Sequence, residues 1–140
     1  MQIQGGFWMH AFLVELPDTP GSLAGLSAGL ADRGINIAGI AAATCGGVGT
    51  VGLITNDEET TRSVLSGRGD TFRETDLVSA SLENKPGTLA NATRRLADAG
   101  VNIDFVAPTG MEGNKMTLAI GVDNAEAARQ ALGELAAVGM

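Results

Sequence analysis

Two short segments of the 140-residue chain carry residues suited to binding a charged small molecule: Asp18-Thr19-Pro20-Gly21-Ser22-Leu23 and Asn84-Lys85-Pro86-Gly87-Thr88-Leu89. Each sets a proline and a glycine ahead of an apolar-periodic stretch, the pattern that opens a helix. The first N–H groups of a helix have no partner within it and attract an anion such as a carboxylate. Further on, Gly34-Ile35-Asn36-Ile37 and Gly100-Val101-Asn102-Ile103 put an asparagine on the polar side of a strand. Helix N–H groups for a carboxylate, and side-chain oxygens of Asp18, Asn84, Asn36 or Asn102 for an ammonium, together suit a zwitterion, a free amino acid. The turn and the strand asparagine fall at opposite ends of one helix, so a site using both is expected across an interface between copies. The same residues also have a purely structural use: Pro-Gly turns a strand into a helix, and Asn36 and Asn102 can satisfy backbone groups at a strand start.

Other chemistry finds little support. His10 is the only histidine and Cys45 the only cysteine, so a Ser-His-Asp or Cys-His arrangement lacks a well-placed base. Gly46, Gly47 and Gly49 follow no strand-to-helix junction and have no Walker lysine, which argues against a phosphate cradle. Asp57-Glu58-Glu59 reads as an acidic helix start, and no HExxH, CxxC or clustered ligand set occurs. No catalytic residue, metal or cofactor is expected. With 9 basic against 16 acidic residues and a net charge of −7, a nucleic-acid backbone would be repelled. No apolar run reaches the roughly 18–20 residues of a membrane span, residues 1–8 do not read as a signal peptide, and a single cysteine suits a reducing compartment. The expected location is the cytoplasm.

The elements that would position these segments are repeated. Residues 18–37 and 84–103 are related by an offset of 66, and 10 of the 20 positions are identical. The expected division is a first unit at 9–75, a second at 76–140, and residues 1–8 as an N-terminal extension or cloning remnant. Each unit reads as strand, helix, strand, strand, helix, strand. The first strands are His10–Leu16 and Leu77–Leu82. Leu23, Leu26 and Leu30, with Leu89, Ala92 and Leu96, form helix stripes facing the sheet. Gly34 and Gly100 end those helices in the left-handed conformation. The glycine-rich Cys45–Gly49 and Met111–Asn114 are hairpin turns. The second helices start near Asn56 or Asp57 and near Asp123, where Glu126 completes a capping box, and Ala125, Ala128, Leu132 and Leu135 form the last stripe. Phe72–Thr75 closes the first copy. The offset puts the matching strand of the second copy at 138–141, beyond Met140, so a second chain or the N-terminal extension is expected to cover that edge.

The βαββαβ order, the Asp/Asn-x-Pro-Gly-x-Leu-Ala turn and the Gly-Ile/Val-Asn-Ile segment resemble the ACT domain, the small-molecule regulatory module of amino-acid metabolism. Doubling over about residues 10–137 resembles the stand-alone tandem ACT proteins. The resemblance implies an α+β fold of two ferredoxin-like βαββαβ units, with antiparallel sheets and helices on one face. It implies a non-catalytic protein binding an amino acid at interfaces between ACT units, in a homodimer with side-by-side sheets, and regulating a metabolic enzyme. The ligand-binding set it carries over is Asp18, Pro20, Gly21, Ser22, Leu23 and Asn36 in the first copy, and Asn84, Pro86, Gly87, Thr88, Leu89 and Asn102 in the second. The serine-binding regulatory domain of phosphoglycerate dehydrogenase often has a histidine two residues before the turn asparagine. Here Leu16 and Leu82 stand there, which points away from serine, and small Ala41–Ala43 and Ala107 beside Val106 suggest a small or branched amino acid. The competing reading is a regulatory or structural subunit that binds an amino-acid-biosynthetic enzyme and no metabolite.

Overall fold

The computed structural model describes residues 8–137. The expected extension falls almost wholly outside them, and so does the closing strand expected from residue 138. The chain divides into two compact units, His10–Glu74 and, with Met9, the residues from Thr75 onward. The N-terminal unit runs β1 (His10–Pro17), α1 (Ser22–Ala31), β2 (Ile37–Cys45), β3 (Val48–Thr55), α2 (Glu58–Arg68) and the first residues of β4 (Thr71–Glu83). The C-terminal unit takes the rest of β4, then α3 (Thr88–Asp98), β5 (Ile103–Glu112), β6 (Lys115–Val122), α4 (Ala125–Leu132) and a 3-10 turn at Gly133–Leu135. In the first unit β3 lies between β1 and β2. In the second, β6 lies between β4 and β5, and all these pairings are antiparallel. The architecture is α+β and ferredoxin-like.

Alternation along the strands builds each core. Phe12, Val14 and Leu16 of β1 share one face with Val51 and Leu53 of β3, and Leu26, Leu30, Val64 and Leu65 of α1 and α2 cover them. Val78, Ala80 and Leu82 of β4 do the same with Leu118, Ile120 and Val122 of β6, under Ala92, Leu96, Ala128 and Leu132. Each large aliphatic side chain buried this way contributes about 1.5–3 kcal/mol.

Four expectations are corrected. Leu23 and Leu89 are 42% and 49% exposed. They sit in the second position of their helices, before the first turn lies over the strands, and the buried stripes begin at Leu26 and Ala92. Phe72–Thr75 and Leu77–Leu82 are a single 13-residue strand, β4, because no glycine or proline interrupts the extended run. The capping box at Asp123 and Glu126 is replaced by Asn124, whose side chain accepts from Ala127 N, as Asp57 accepts from Thr60 N at the start of α2. Finally, the repeat offset grows from 66 to 67 within β5. The register against β6 shifts between Pro108 and Gly110, and the extra residue, Thr109, is a β-bulge whose hydroxyl donates to Thr117 O at 3.3 Å.

Helix α1 contains Gly25 and Gly29, each costing about 1 kcal/mol relative to alanine. The side chain of Arg68 from α2 lies across them: a Cβ on Gly29 would meet Arg68 Cδ at 3.3 Å, and Arg68 Nη1 donates to Gly25 O at 3.0 Å. At the C-terminus, Ala136 forms an isolated bridge with Ala80, and Ala137 N donates to Ser79 O at 2.8 Å. Among the described residues this short pairing stands where the second copy's closing strand was expected. No helix among them is long and apolar enough to cross a membrane.

Candidate ligand clefts at the repeated turns

Both repeated turns border a concavity. In the N-terminal unit a cleft of about 380 Å³ lies between the Asp18–Leu23 turn and the Ala42–Thr44 stretch of β2. In the C-terminal unit a cleft of about 510 Å³ lies beside Pro86, Gly87 and Thr88. Helices α1 and α3 begin there at Gly21 and Gly87, with φ of 91° and 92° and no side-chain hydrogen bond capping either helix. Such positive φ is readily adopted by glycine. The other two α-helices are capped, by Asp57 and Asn124. The helix starts at the clefts therefore keep first-turn N–H groups without a side-chain acceptor.

The turns are braced from within. Thr88 Oγ1 donates to Glu83 O at 2.7 Å and lies 3.1 Å from Lys85 O, and Asn84 N donates to Asn114 O at 2.8 Å. In the first copy, Thr19 Oγ1 and Ser22 Oγ are 2.9 Å apart. Of the residues singled out in the sequence, Asp18, Ser22 and Leu23 line the N-terminal cleft, and Pro86, Gly87 and Thr88 line the C-terminal one. Pro20, Gly21, Asn84 and Leu89 belong to the turns without lining a cleft.

Asn36 and Asn102 line neither cleft. Asn36 N donates to Asn56 Oδ1 at 2.9 Å while Asn56 N donates to Asn36 O at 3.1 Å. Asn102 N and Asp123 repeat this exchange at 3.0 and 3.2 Å, and Asn102 Nδ2 donates to Asp104 Oδ1 at 3.2 Å. Each asparagine backbone thus locks its strand start to the residue before a helix cap. Within a unit, the turn and the asparagine are not brought together.

The clefts differ in charge, which the motif does not show. Lys85, Lys115, Glu83 and Glu134 line the C-terminal cleft. Lys85 Nζ pairs with Glu83 Oε1 at 3.0 Å, and the hydrogen bond from Lys85 lowers the Glu83 pKa. The Glu134 carboxylate receives Arg95 Nη1 and Nη2 at 3.0 and 2.8 Å, and this bidentate bond holds its pKa down at about 2. Arg95 Nη1 also donates to Leu132 O at 2.9 Å, fixing the wall that carries Glu134. Asp18 is the one charged residue lining the N-terminal cleft. Lys115 and Glu134 escaped the sequence reading because they come from a hairpin and a C-terminal turn distant in sequence. The signal available was that Lys115 immediately follows the Gly113-Asn114 turn.

His10, set aside as a catalytic base, has a structural place. Its backbone N and its Nδ1 reach the two oxygens of Glu58 at 3.1 and 2.9 Å, joining the start of β1 to the first residue of α2. Glu74, 3.9 Å from His10 Nδ1, takes a bidentate pair from Arg62 at 2.6 and 2.7 Å. Cys45 is exposed. Among the described residues no group of three or more His, Cys, Asp and Glu is arranged to hold a metal ion.

No curated protein matches the sequence. Among solved structures, the chain is similar to a protein from Bacteroides thetaiotaomicron, with a TM-score of 0.75, 24% identity and coverage of 91% of this chain and 88% of that one. It is similar to the regulatory subunit of aspartate kinase from Thermus thermophilus in its ligand-free form, with a TM-score of 0.67, 21% identity and coverage of 92% and 93%. The corresponding subunit from Thermus flavus gives 0.64, 21%, 92% and 94%. These likenesses establish the fold. The ACT domain family model matches residues 10–66, the greater part of the N-terminal unit.

Proposed function

We propose that the protein is a non-catalytic regulator built of two ACT units, residues 9–75 and 76–140, that binds a free amino acid at the repeated turns. The observation that carries this reading is the contrast between helix starts. At both clefts the helix begins on a left-handed glycine with no side-chain cap, whereas α2 and α4 are capped by their own sequence. Ser22 N and Thr88 N donate within their turns, to Thr19 O and Lys85 O, and a ligand carboxylate accepting from the next first-turn N–H, of Leu23 or Leu89, would supply the missing acceptor. The turn residues Asp18, Pro20 and Gly21, or Asn84, Pro86 and Gly87, shape that contact, and Asp18, which lines its cleft, accepts from the ligand ammonium. In the C-terminal cleft Lys85 and Lys115 add positive charge toward the carboxylate. Asn36 or Asn102 joins the ligand only from another ACT unit, closing the open side.

The regulated partner, on this reading, is a separate enzyme of amino-acid biosynthesis, and the expected location is the cytoplasm. Supporting this, the chain spans nearly the whole of two solved proteins named as regulatory subunits of aspartate kinase. A thermal-unfolding panel of the twenty amino acids, followed by titration calorimetry, tests the reading. A ligand that binds only the folded form at one hundred times its Kd stabilises by about 2.7 kcal/mol, so one or a few amino acids should raise the Tm. A flat panel overturns the amino-acid reading. A second reading, a regulatory subunit that binds no metabolite, draws support from the position of Asn36 and Asn102 outside both clefts, and it predicts that flat panel.

A further inference from the structure

The two clefts are not copies of one another. The N-terminal cleft runs from its turn to Ala42, Ala43 and Thr44 of β2, whereas no residue of β5 lines the C-terminal cleft. That cleft lies on the other flank of its helix start, bounded by Asn91 of α3 and by Glu134 and Leu135 of the final turn. The N-terminal unit fills this flank with its own side chain. Asn91 matches Gly25 in the repeat, and Gly25 lies against Arg68, whose Nη1 donates to Gly25 O at 3.0 Å. Arg68 is the last residue of α2. By the repeat, α4 stops opposite Leu65 of α2 and lacks the turn that would carry an equivalent of Arg68. Loss of that turn opens the C-terminal cleft.

The charges that line it do not cancel. Glu83 pairs with Lys85 at 3.0 Å, and Glu134 with Arg95 at 2.8 Å. Lys115 makes no ion pair among the described residues and acts on Glu83 only at longer range. The cleft also holds a backbone acceptor. Leu77 N donates to Met9 O, and Ser79 O accepts from Ala137 N, so alternate residues of β4 turn their backbone groups to the edge away from β6. Ser81, the next in that series, lines the cleft, and the C-terminal pairing ends before it, at Ala80 and Ala136. Its C=O is an edge carbonyl facing the cleft.

We infer that the C-terminal cleft takes a dicarboxylic amino acid, its side-chain carboxylate held by Lys115 and its ammonium by Ser81 O. The inference rests on the reading above for the α-carboxylate, which Leu89 N–H receives. Two carboxylates and one ammonium then meet two separate donors and one acceptor, and the ligand's net negative charge matches the unpaired lysine. A neutral amino acid leaves Lys115 unmatched, and a basic one sets a second cation beside it. The N-terminal cleft, where Asp18 is the one charged lining residue, has no cation for a second carboxylate.

Titration calorimetry of the full chain with aspartate, asparagine, glutamate and glutamine tests this, because each acid differs from its amide in charge and little in shape. At least one acid should bind about tenfold or more tightly than its amide, the scale of a hydrogen bond to a charged group. Lys115→Gln should remove that preference and Lys115→Arg should retain it. Arg129→Gln deletes an equal charge outside the cleft lining and should leave the preference unchanged. Acids no tighter than their amides, a preference that survives Lys115→Gln, or an equal loss in Arg129→Gln overturns the inference. Binding of a neutral or basic amino acid with both acids silent overturns it and leaves the amino-acid reading intact, whereas silence from all twenty overturns both.

Discussion

A Cβ on Gly121 of β6 would stand 2.7 Å from Thr75 Cγ2 of β4 and 3.0 Å from Phe105 Cβ of β5. Thr75 is itself fixed, with 4% exposure and its hydroxyl donating to Asp104 Oδ2 at 3.0 Å. The middle strand of the C-terminal sheet is therefore a glycine at this point because its neighbours leave no room for a methyl group. Gly121→Ala should cost about 1–3 kcal/mol, the usual penalty of overpacking, as read from urea unfolding. Adding Thr75→Ser, which removes the methyl and keeps the hydroxyl, should restore part of the loss. An unchanged midpoint for Gly121→Ala would contradict the packing.

Buried hydroxyls order the start of α2. Thr55 and Thr61 are 1% and 0% exposed, with their Oγ1 atoms 2.8 Å apart. Thr61 Oγ1 also donates to Asp57 O at 2.8 Å. A hydroxyl has one proton, so Thr61 gives its own to Asp57 and accepts from Thr55. Thr61→Val should then cost about 1–3 kcal/mol by stranding the Thr55 donor. In a double-mutant cycle Thr55→Val with Thr61→Val should cost clearly less than the sum of the singles, and strict additivity would rule out the relay.

Acid should weaken the N-terminal unit through Glu74. The hydrogen bond from Arg62 holds the Glu74 carboxyl below its ordinary 4.5. A depressed folded-state pKa stabilises above the unfolded-state value, and that contribution is lost as pH falls through the folded-state value. Stability should decline below about pH 4.5, and Arg62→Met should flatten part of that decline while costing about 1 kcal/mol or less at pH 7, because the pair is partly exposed. Unfolding curves from pH 7 to pH 3 give both quantities. A decline of the same size in Arg62→Met would assign it to other carboxylates.

At the C-terminal cleft, Lys115→Met should reduce the Tm rise given by the bound amino acid without lowering the Tm of the free protein, since Lys115 is an exposed side chain at the cleft. Gly87→Ala should behave differently. It meets no atom within 4 Å, yet must hold φ of 92°, so it should lower free-protein stability by about 1–2 kcal/mol. Gly46, at φ of 62°, should show a comparable intrinsic cost, so strain alone does not separate the turn at the cleft from the hairpin turn. The ligand-dependent part of the Tm does. An equal ligand response in Lys115→Met and wild type would remove Lys115 from the site.

Much of this protein is set by short-range pattern. Period-two alternation at Phe12, Val14 and Leu16, and helical spacing at Leu26 and Leu30, determine which faces are buried, because side-chain direction follows backbone period. Gly34 and Gly100, at φ of 71° and 74°, end their helices as read, since that conformation is costly for other residues. Tertiary structure decided what depends on atoms distant in the chain. Gly25 and Gly29 look like weaknesses in α1 until Arg68 is seen lying across them. The bulge at Thr109 follows from pairing register with β6, and Lys115 and Glu134 meet at one cleft only after the hairpin and the C-terminal turn fold back. The backbones of Asn36 and Asn102 are tied to Asn56 and Asp123, and both residues stand apart from the clefts. Local sequence specifies conformation one element at a time, while a site depends on which elements close over one another.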